Sequence, residues 1–435
     1  MSRRRIGRCA PALLAFALAL AAVPAWPAAA KPQAKPRAAA PAKSLGPVLT
    51  QHLDMAAAID AQSRALEAQR GAVAAKYHTA NSITPGSPYI AGSRRKNVAG
   101  NLYDLREMEV EAAMPVWLPG QRDAFAATVA AGLAEVEERL ALRRLEIAAL
   151  LRDAWWSAQR AVRALAIAKN RVATAHDIGD DMARRVQLGE AAAADELLAR
   201  NETLAAETEL AQAEGAARTS KVAYATLTGG ASPDGRLERE TFESEIDNHP
   251  ALRAPRASLD RAEAQARLVE ASFIDNPEIG VFGRTENNVQ PQASFDQTEP
   301  PVHQRTDSTT LGFRFKIPLP TPGRNEPRRA EAAAEIVRAQ AEYDRARRVV
   351  EGEIKAARAA AAAARRAEGV AAKRLAVATE QFELARKAFS LGEVNAVDLY
   401  RVRQSQLDAQ RMEANASIDL GVAISRLNQA RGYAP

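Results

Sequence analysis

Cysteine is nearly absent from this chain: 435 residues hold one, Cys9. A single thiol excludes a disulfide framework and a cysteine-based metal cluster. Aromatics are scarce too, at 5% of residues against 47% hydrophobic residues in all, so small side chains, alanine above all, carry the apolar content. Alanine is the strongest helix former, and its small side chain lets helix backbones approach closely. The composition therefore points to long, tightly packed helices. His52, His78, His176, His249 and His303 are scattered, with no His-x-x-x-His or His-Glu-x-x-His pattern, and neither a Walker A loop nor a dinucleotide fingerprint occurs. No catalytic constellation, cofactor motif or metal-ligand set results, and the expectation is a protein that is not an enzyme.

The formal net charge of +6 is misleading. Arg3, Arg4, Arg5 and Arg8 precede a short apolar stretch, Leu13 to Val23, and small residues Ala28, Ala29 and Ala30 follow. Residues 1–30 thus read as a secretory signal peptide, too short in its apolar part to span a membrane. Residues 31–46, alternating Lys, Pro and Ala, read as a disordered lead-in. Without the eight Lys and Arg of residues 1–44, 51 basic residues face 53 acidic ones, so the charge gives no argument for a nucleic-acid partner. Cys9 lies before the apolar stretch, so the exported chain is expected to have neither cysteine nor acyl anchor.

What the chain does have is a duplication. Pro47 and Leu49 recur as Pro250 and Leu252; Pro115, Pro119 and Gly120 as Pro318, Pro322 and Gly323; Leu188, Gly189 and Glu190 as Leu391, Gly392 and Glu393. Asp195 matches Asp398, Leu204 matches Leu407, and Gly229 matches Gly432, every pair 203 residues apart. Two structural repeats are expected, 47–229 and 247–432, joined by a linker at 230–246. Each holds a first helix (about 48–76 and 248–272), a β-hairpin (77–114 and 276–317), a long helix (about 121–187 and 324–388) and a return helix.

The hairpins rest on alternation. Leu311, Phe313, Phe315 and Ile317 alternate with Gly312, Arg314 and Lys316, which gives a strand one greasy and one polar face. The first hairpin is expected to use about 77–90 and 103–114, with Ser93-Arg94-Arg95-Lys96-Asn97 as a basic loop, either simply solvated or facing lipopolysaccharide phosphates. Pro115 to Gly120 and Pro318 to Gly323 end the strands. A helix of some 65 residues then extends roughly 100 Å. Seven-residue spacing at Leu375, Phe382 and Phe389, and at Val377, Leu384 and Leu391, is coiled-coil periodicity. Trp155 and Trp156 cannot both face one way, so one is expected to pack between helices. Trp117, beside a strand end, suits a membrane-interface belt. Asp180 and Asp181 near His176 read as a solvated helix face or a weak cation site.

Four strands with open greasy edges would aggregate unless closed, and a barrel closed from several chains puts an apolar face to lipid and a polar face to water. These features, with Asn248-His249-Pro250, Pro318-Leu319, Gly323-Arg324-Asn325 and the repeated Leu-Gly turns, make residues 47–433 resemble the outer membrane factor (TolC-like) family of Gram-negative bacteria. Gly323-Arg324-Asn325 resembles its heavy-metal cation efflux branch. The resemblance implies a mixed α/β membrane protein. Long antiparallel coiled-coil helices would form a periplasmic tunnel, and four strands per protomer would join a homotrimeric 12-stranded outer-membrane β-barrel. It also implies a tripartite efflux pump with a periplasmic adaptor (membrane fusion) protein and an inner-membrane transporter of the RND type, exporting substrates such as metal cations. A non-channel periplasmic coiled-coil scaffold is the alternative, but a scaffold has no use for two hairpins with alternating faces.

The candidate site residues follow. Leu188, Gly189, Glu190, Leu391, Gly392 and Glu393 are expected at the periplasmic tips for adaptor docking, with Glu190 and Glu393 capping the return helices. Asp195 and Asp398 are expected at the tunnel mouth or against a neighbouring helix. Pro115, Gly120, Pro318, Gly323, Arg324 and Asn325 are expected at the strand-to-helix corners.

Overall fold

The computed structural model describes residues 47–97, 104–234, 239–241, 245–292, 302–321 and 323–434. The signal peptide and lead-in expectations lie outside these residues, as do Pro322 and parts of the 230–246 linker. No described helix is long and apolar enough to cross a membrane.

Two helices, α1 (Pro47–Ile59) and α2 (Ala61–Ala80), replace the single first helix expected. The break is Asp60, whose carboxylate accepts the Ser63 backbone N–H at 2.7 Å and so caps α2. Two nitrogens of Arg143 donate to the same carboxylate at 3.0 and 2.8 Å. The hydrogen bonds from Arg143, with those from Ser63, hold the carboxyl well below the usual carboxylate range.

The first hairpin begins later than the sequence suggests. Residues 77–80 stay helical, and the Asn81 N–H closes α2 on the Tyr77 carbonyl. Pro85, Gly86 and Pro88 then keep the chain out of a ladder, so β1 is Tyr89–Lys96, paired antiparallel with β2 (Asp104–Pro115). Arg94, Arg95 and Lys96 are therefore strand residues and not a loop.

After β2 come α3 (Gln121–Gln187, 67 residues), α4 (Ala193–Thr228), α5 (Pro250–Ala271), β3 (Glu278–Gln292), β4 (Val302–Lys316), α6 (Glu326–Ser390, 65 residues) and α7 (Ala396–Ala430). At 1.5 Å per residue each long helix extends roughly 100 Å. The α5 cap is His249, whose Nδ1 accepts the Ala251 N–H at 3.0 Å, with Pro250 in the first turn, where its missing donor costs nothing. β2 pairs with β3, so the two hairpins fuse into one antiparallel sheet of order β1-β2-β3-β4 with both edges open.

The long helices form two antiparallel pairs, α3 with α4 and α6 with α7, and the pairs meet through α3 and α7. That leaves α4 and α6 as the outer helices. About midway along α3, Leu53, Ile147, Leu151, Trp155, Trp156 and Tyr224 share one core. Both tryptophans are buried, contrary to the expectation that one alone would pack. They meet edge to face at 4.8 Å, because α3 is covered on two sides, by α1 and α4 and by α7.

Candidate functional site: tips, corners and sheet faces

The two tips are built alike. At the first, Gly189 takes φ +78°, its N–H bonds the Val186 carbonyl at 3.1 Å, and the Glu190 N–H bonds the Arg185 carbonyl at 2.8 Å. At the second, Gly392 takes φ +79°, with Gly392 on Phe389 at 3.1 Å and Glu393 on Ala388 at 3.0 Å. This is a Schellman ending, in which a left-handed residue lets the chain satisfy the last carbonyls, and glycine enters it without a Cβ penalty. The leucine before each glycine, Leu188 and Leu391, is 73% exposed.

Glu190 and Glu393 are not the caps of the return helices. Asn395 caps α7, accepting the Asp398 N–H at 2.8 Å, and Ala192 precedes α4 with no side-chain cap. A shorter side chain nearer the helix start reaches the free N–H groups that the glutamates cannot. Asp195 and Asp398 both lie in the first turn of their helices, where negative charge is favoured, and Asp398 pairs with Arg401 at 3.5 Å.

Just behind the tips the two pairs are locked together. Met182, Ala199, Phe382, Phe389 and Leu399 form a small core drawn from all four long helices. Arg185 lies over the Phe389 ring at 4.5 Å and Arg403 over Phe382 at 4.9 Å. Glu209 of α4 bonds both Arg171 of α3 and Arg411 of α7. The acidic residues near His176 are divided: Asp181 pairs with Arg185 at 3.1 Å, and His176 faces Glu207 at 3.3 Å. Among the described residues no three potential ligands cluster around a metal position.

The corners converge on one segment, residues 272–276. Gly120 (φ +74°) and Gly323 (φ +77°) turn the chain into α3 and α6. From the first corner, Gln121 Nε2 donates to Ser272 Oγ at 3.1 Å and to Asn276 Oδ1 at 3.2 Å, and Asn276 Nδ2 donates to the Val116 carbonyl at 2.9 Å. From the second, Arg324 pairs with Asp275 at 2.6 Å and Asn325 Nδ2 donates to the Phe273 carbonyl. Pro115 ends β2 opposite Glu278, and Pro318 follows β4. Arg324 and Asn325 are thus structural ties between helix and sheet. Trp117 sits against Phe125 and donates its indole N–H to the Ser82 carbonyl at 3.2 Å.

The sheet has two unlike faces. Register places Ile90, Val110, Ile279, Leu311, Phe313 and Phe315 on one, with Phe313 88% exposed. The other carries Glu107, Glu109 and Glu111 in a row along β2. Arg284 pairs with Glu107 at 2.7 Å, and Arg314 bridges Glu109 at 2.5 Å and Glu111. Arg314 also stacks over Phe282 at 5.0 Å, whose ring lies where a side chain at Gly312 would be. The alternation of Glu109-Val110-Glu111-Ala112 is visible in the sequence, but the pairing with Arg284 and Arg314 is not, because those arginines come from strands far along the chain.

Long paired helices fused to a two-faced open sheet are a fold shared with solved membrane proteins. Residues 242–433 match the family described as outer membrane efflux protein. A membrane protein from Pseudomonas aeruginosa superposes with a TM-score of 0.69 at 19% identity, covering 89% of this chain and 94% of that one. CusC gives 0.69 at 15% identity over 88% and 92%, and the outer membrane protein VceC of Vibrio cholerae 0.66 at 17% over 88% and 96%. In sequence, the chain is 29% identical over 171 residues to the cobalt-zinc-cadmium resistance protein CzcC of Cupriavidus metallidurans, a stretch of 37% of this chain and 41% of that one. The matched stretch thus spans about two fifths of that relative's length. The fold expected from the resemblance to the outer membrane factor family agrees with these findings.

Proposed function

We propose that this chain is the outer-membrane channel of a tripartite efflux pump, acting as a homotrimer. The observation that carries the reading is the sheet, which has open edges at β1 and β4, an exposed apolar face and a charged face. Three copies give twelve strands, lipid takes the apolar face, and the lumen takes Glu107, Glu109 and Glu111 with their arginines. The outer helices point the same way. Val370, Val377 and Leu384 form an exposed heptad stripe on α6 that continues to Leu391 at its cap, and Leu197 and Leu204 are exposed on α4, so a neighbouring copy has a seam to bury on each side.

A passive tunnel needs no catalytic group, since an inner-membrane transporter, here of the RND type, supplies the energy. Leu188-Gly189-Glu190 and Leu391-Gly392-Glu393 are the docking tips for the periplasmic adaptor, because exposed leucines at a blunt repeated turn call for a partner. Asp195 and Asp398, one turn further on, place carboxylates near the tunnel mouth. Metal cations are the proposed cargo, supported by the likeness to a cobalt-zinc-cadmium resistance protein.

Two measurements test this reading. Purified protein added to a planar bilayer should produce discrete ion conductance; a protein that never conducts would refute the channel. Deleting the gene should raise sensitivity to cobalt, zinc or cadmium salts; changed drug sensitivity with unchanged metal sensitivity would refute the cargo.

A further inference from the structure

Behind the tips a cavity of about 360 Å³ opens between the two helix pairs, lined by α3, α4 and α7. Ala175 and Ile178 of α3 and the buried Leu407 of α7 make its apolar wall. Two polar groups of α7 line it with donors to spare. The hydroxyl of Tyr400 is buried and finds no hydrogen-bond partner. Arg403 lies over the Phe382 ring and donates from Nη1 to Gln406 Oε1 at 2.5 Å, and among the described residues it forms no ion pair. The other charges of the wall are engaged. Arg171 is held by Glu202 at 3.5 Å and by Glu209, and Arg401 by Asp398 at 3.5 Å. Asp408 accepts from Gln404 at 3.2 Å. Glu383 and Arg386 of α6 act on Arg403 from beyond ion-pair distance and with opposite signs. Burial, then Arg171 and Arg386, hold the Arg403 pKa below its ordinary value, and burial pushes that of Tyr400 up to about 12. The phenol therefore stays protonated and is a donor, and the guanidinium keeps its charge and leaves Nε and Nη2 to donate.

We propose that this cavity binds a small organic monocarboxylate, its carboxylate held by Arg403 and Tyr400 and its apolar body set against Ala175, Ile178 and Leu407. One guanidinium without an ion pair balances one negative charge, and its planar fork matches a carboxylate. The Tyr400 hydroxyl supplies a further donor, and the ligand thereby satisfies a buried group that is otherwise costly to leave unbonded. Glu202, a carboxylate of the same wall, disfavours a dianion such as phosphate. The volume suits a ligand of modest size with an apolar body and a single polar end. Every lining residue belongs to one chain, so the site stands independently of the channel reading and of any assembly.

The test titrates full-length protein in lipid nanodiscs with benzoate and with benzyl alcohol, a neutral compound of like shape, by calorimetry. Benzoate should bind once per chain and more tightly than the alcohol. Tyr400→Phe removes a hydroxyl that has no partner, so its melting temperature should hold or rise. Its benzoate affinity should nonetheless fall about tenfold, the loss of one hydrogen bond to a charged group. Arg403→Gln should erase the preference for benzoate over benzyl alcohol. Absence of benzoate binding, equal affinities of the wild type for the two compounds, or full benzoate affinity in Tyr400→Phe would overturn the proposal. Benzoate binding by a protein that never conducts would leave it standing and overturn the channel reading alone.

Discussion

The Trp156 ring occupies the space a side chain would need at Gly421: a Cβ built there would lie 1.9 Å from the ring. The indole N–H donates to Ser425 Oγ at 2.8 Å, one turn along α7. This contact joins the two helix pairs, and it works only because position 421 has no side chain. Gly421→Ala should overpack the joint and destabilise the protein by about 1–3 kcal/mol. Trp156→Phe in the same chain should recover part of that loss. Thermal melts of both singles and the double form a mutant cycle, and strict additivity would contradict the contact.

The tips separate docking from folding. Leu188→Glu and Leu391→Glu alter exposed side chains, so each should leave the melting temperature and the trimer in detergent unchanged while abolishing adaptor crosslinking. Gly189→Lys and Gly392→Lys should cost about 1 kcal/mol more, because a side chain enters the left-handed region. Intact crosslinking and efflux in all four variants would remove the docking role.

The outer helices should report assembly. Val377→Glu and Leu384→Glu place charges on a stripe of α6 that is exposed among the described residues. Helix content should therefore hold while the trimer fraction falls in size-exclusion chromatography with light scattering. A trimer that persists in both variants would move the seam elsewhere.

Stability should fall in mild acid. Burial lowers the His249 pKa from its ordinary 6.5, and the cap on Ala251 needs an unprotonated Nδ1. Burial also lowers that of His52, whose ring bonds the Tyr224 hydroxyl at 2.9 Å. With folded values below the unfolded one, the unfolded chain takes up the proton first as pH falls. The stabilisation is thus complete above about pH 6.5 and drains away below it. Melting curves between about pH 7.5 and pH 5 should show this loss, and His249→Asn, which keeps a cap, should flatten it.

The helices were legible in the sequence because their signals are local. Gly189 and Gly392 punctuate a long alanine-rich pattern, and the helix ending at Gln187 follows from them. The first hairpin was obscured because residues 77–80 lack a breaker and extend α2, while Pro88 sets the true strand start. The role of Arg324 and Asn325 was hidden for another reason. Their partners, Asp275 and Phe273, lie some fifty residues earlier in the chain and meet them only in the folded corner. Burial of both Trp155 and Trp156 likewise depends on helices arriving from both sides, which no single-helix period records.

Lipid exposure of the apolar face predicts a graded cost. Phe313→Arg should destabilise the assembled barrel by about 2–4 kcal/mol, the cost of an arginine near the bilayer midplane. Arg314→Gln, on the charged face beside it, should leave assembly intact and change ion selectivity through the freed Glu109 and Glu111. Heat-modified mobility in gels reads the first effect and reversal potentials in asymmetric salt read the second.

A single-particle reconstruction of the detergent-purified protein tests the central claim most directly. The account predicts three copies around one axis, β1 of each protomer paired to β4 of the next in a closed barrel of twelve strands, with α4 and α6 sealed against neighbouring copies. A monomer with free β1 and β4 edges, or an assembly joined through helices alone, would contradict it.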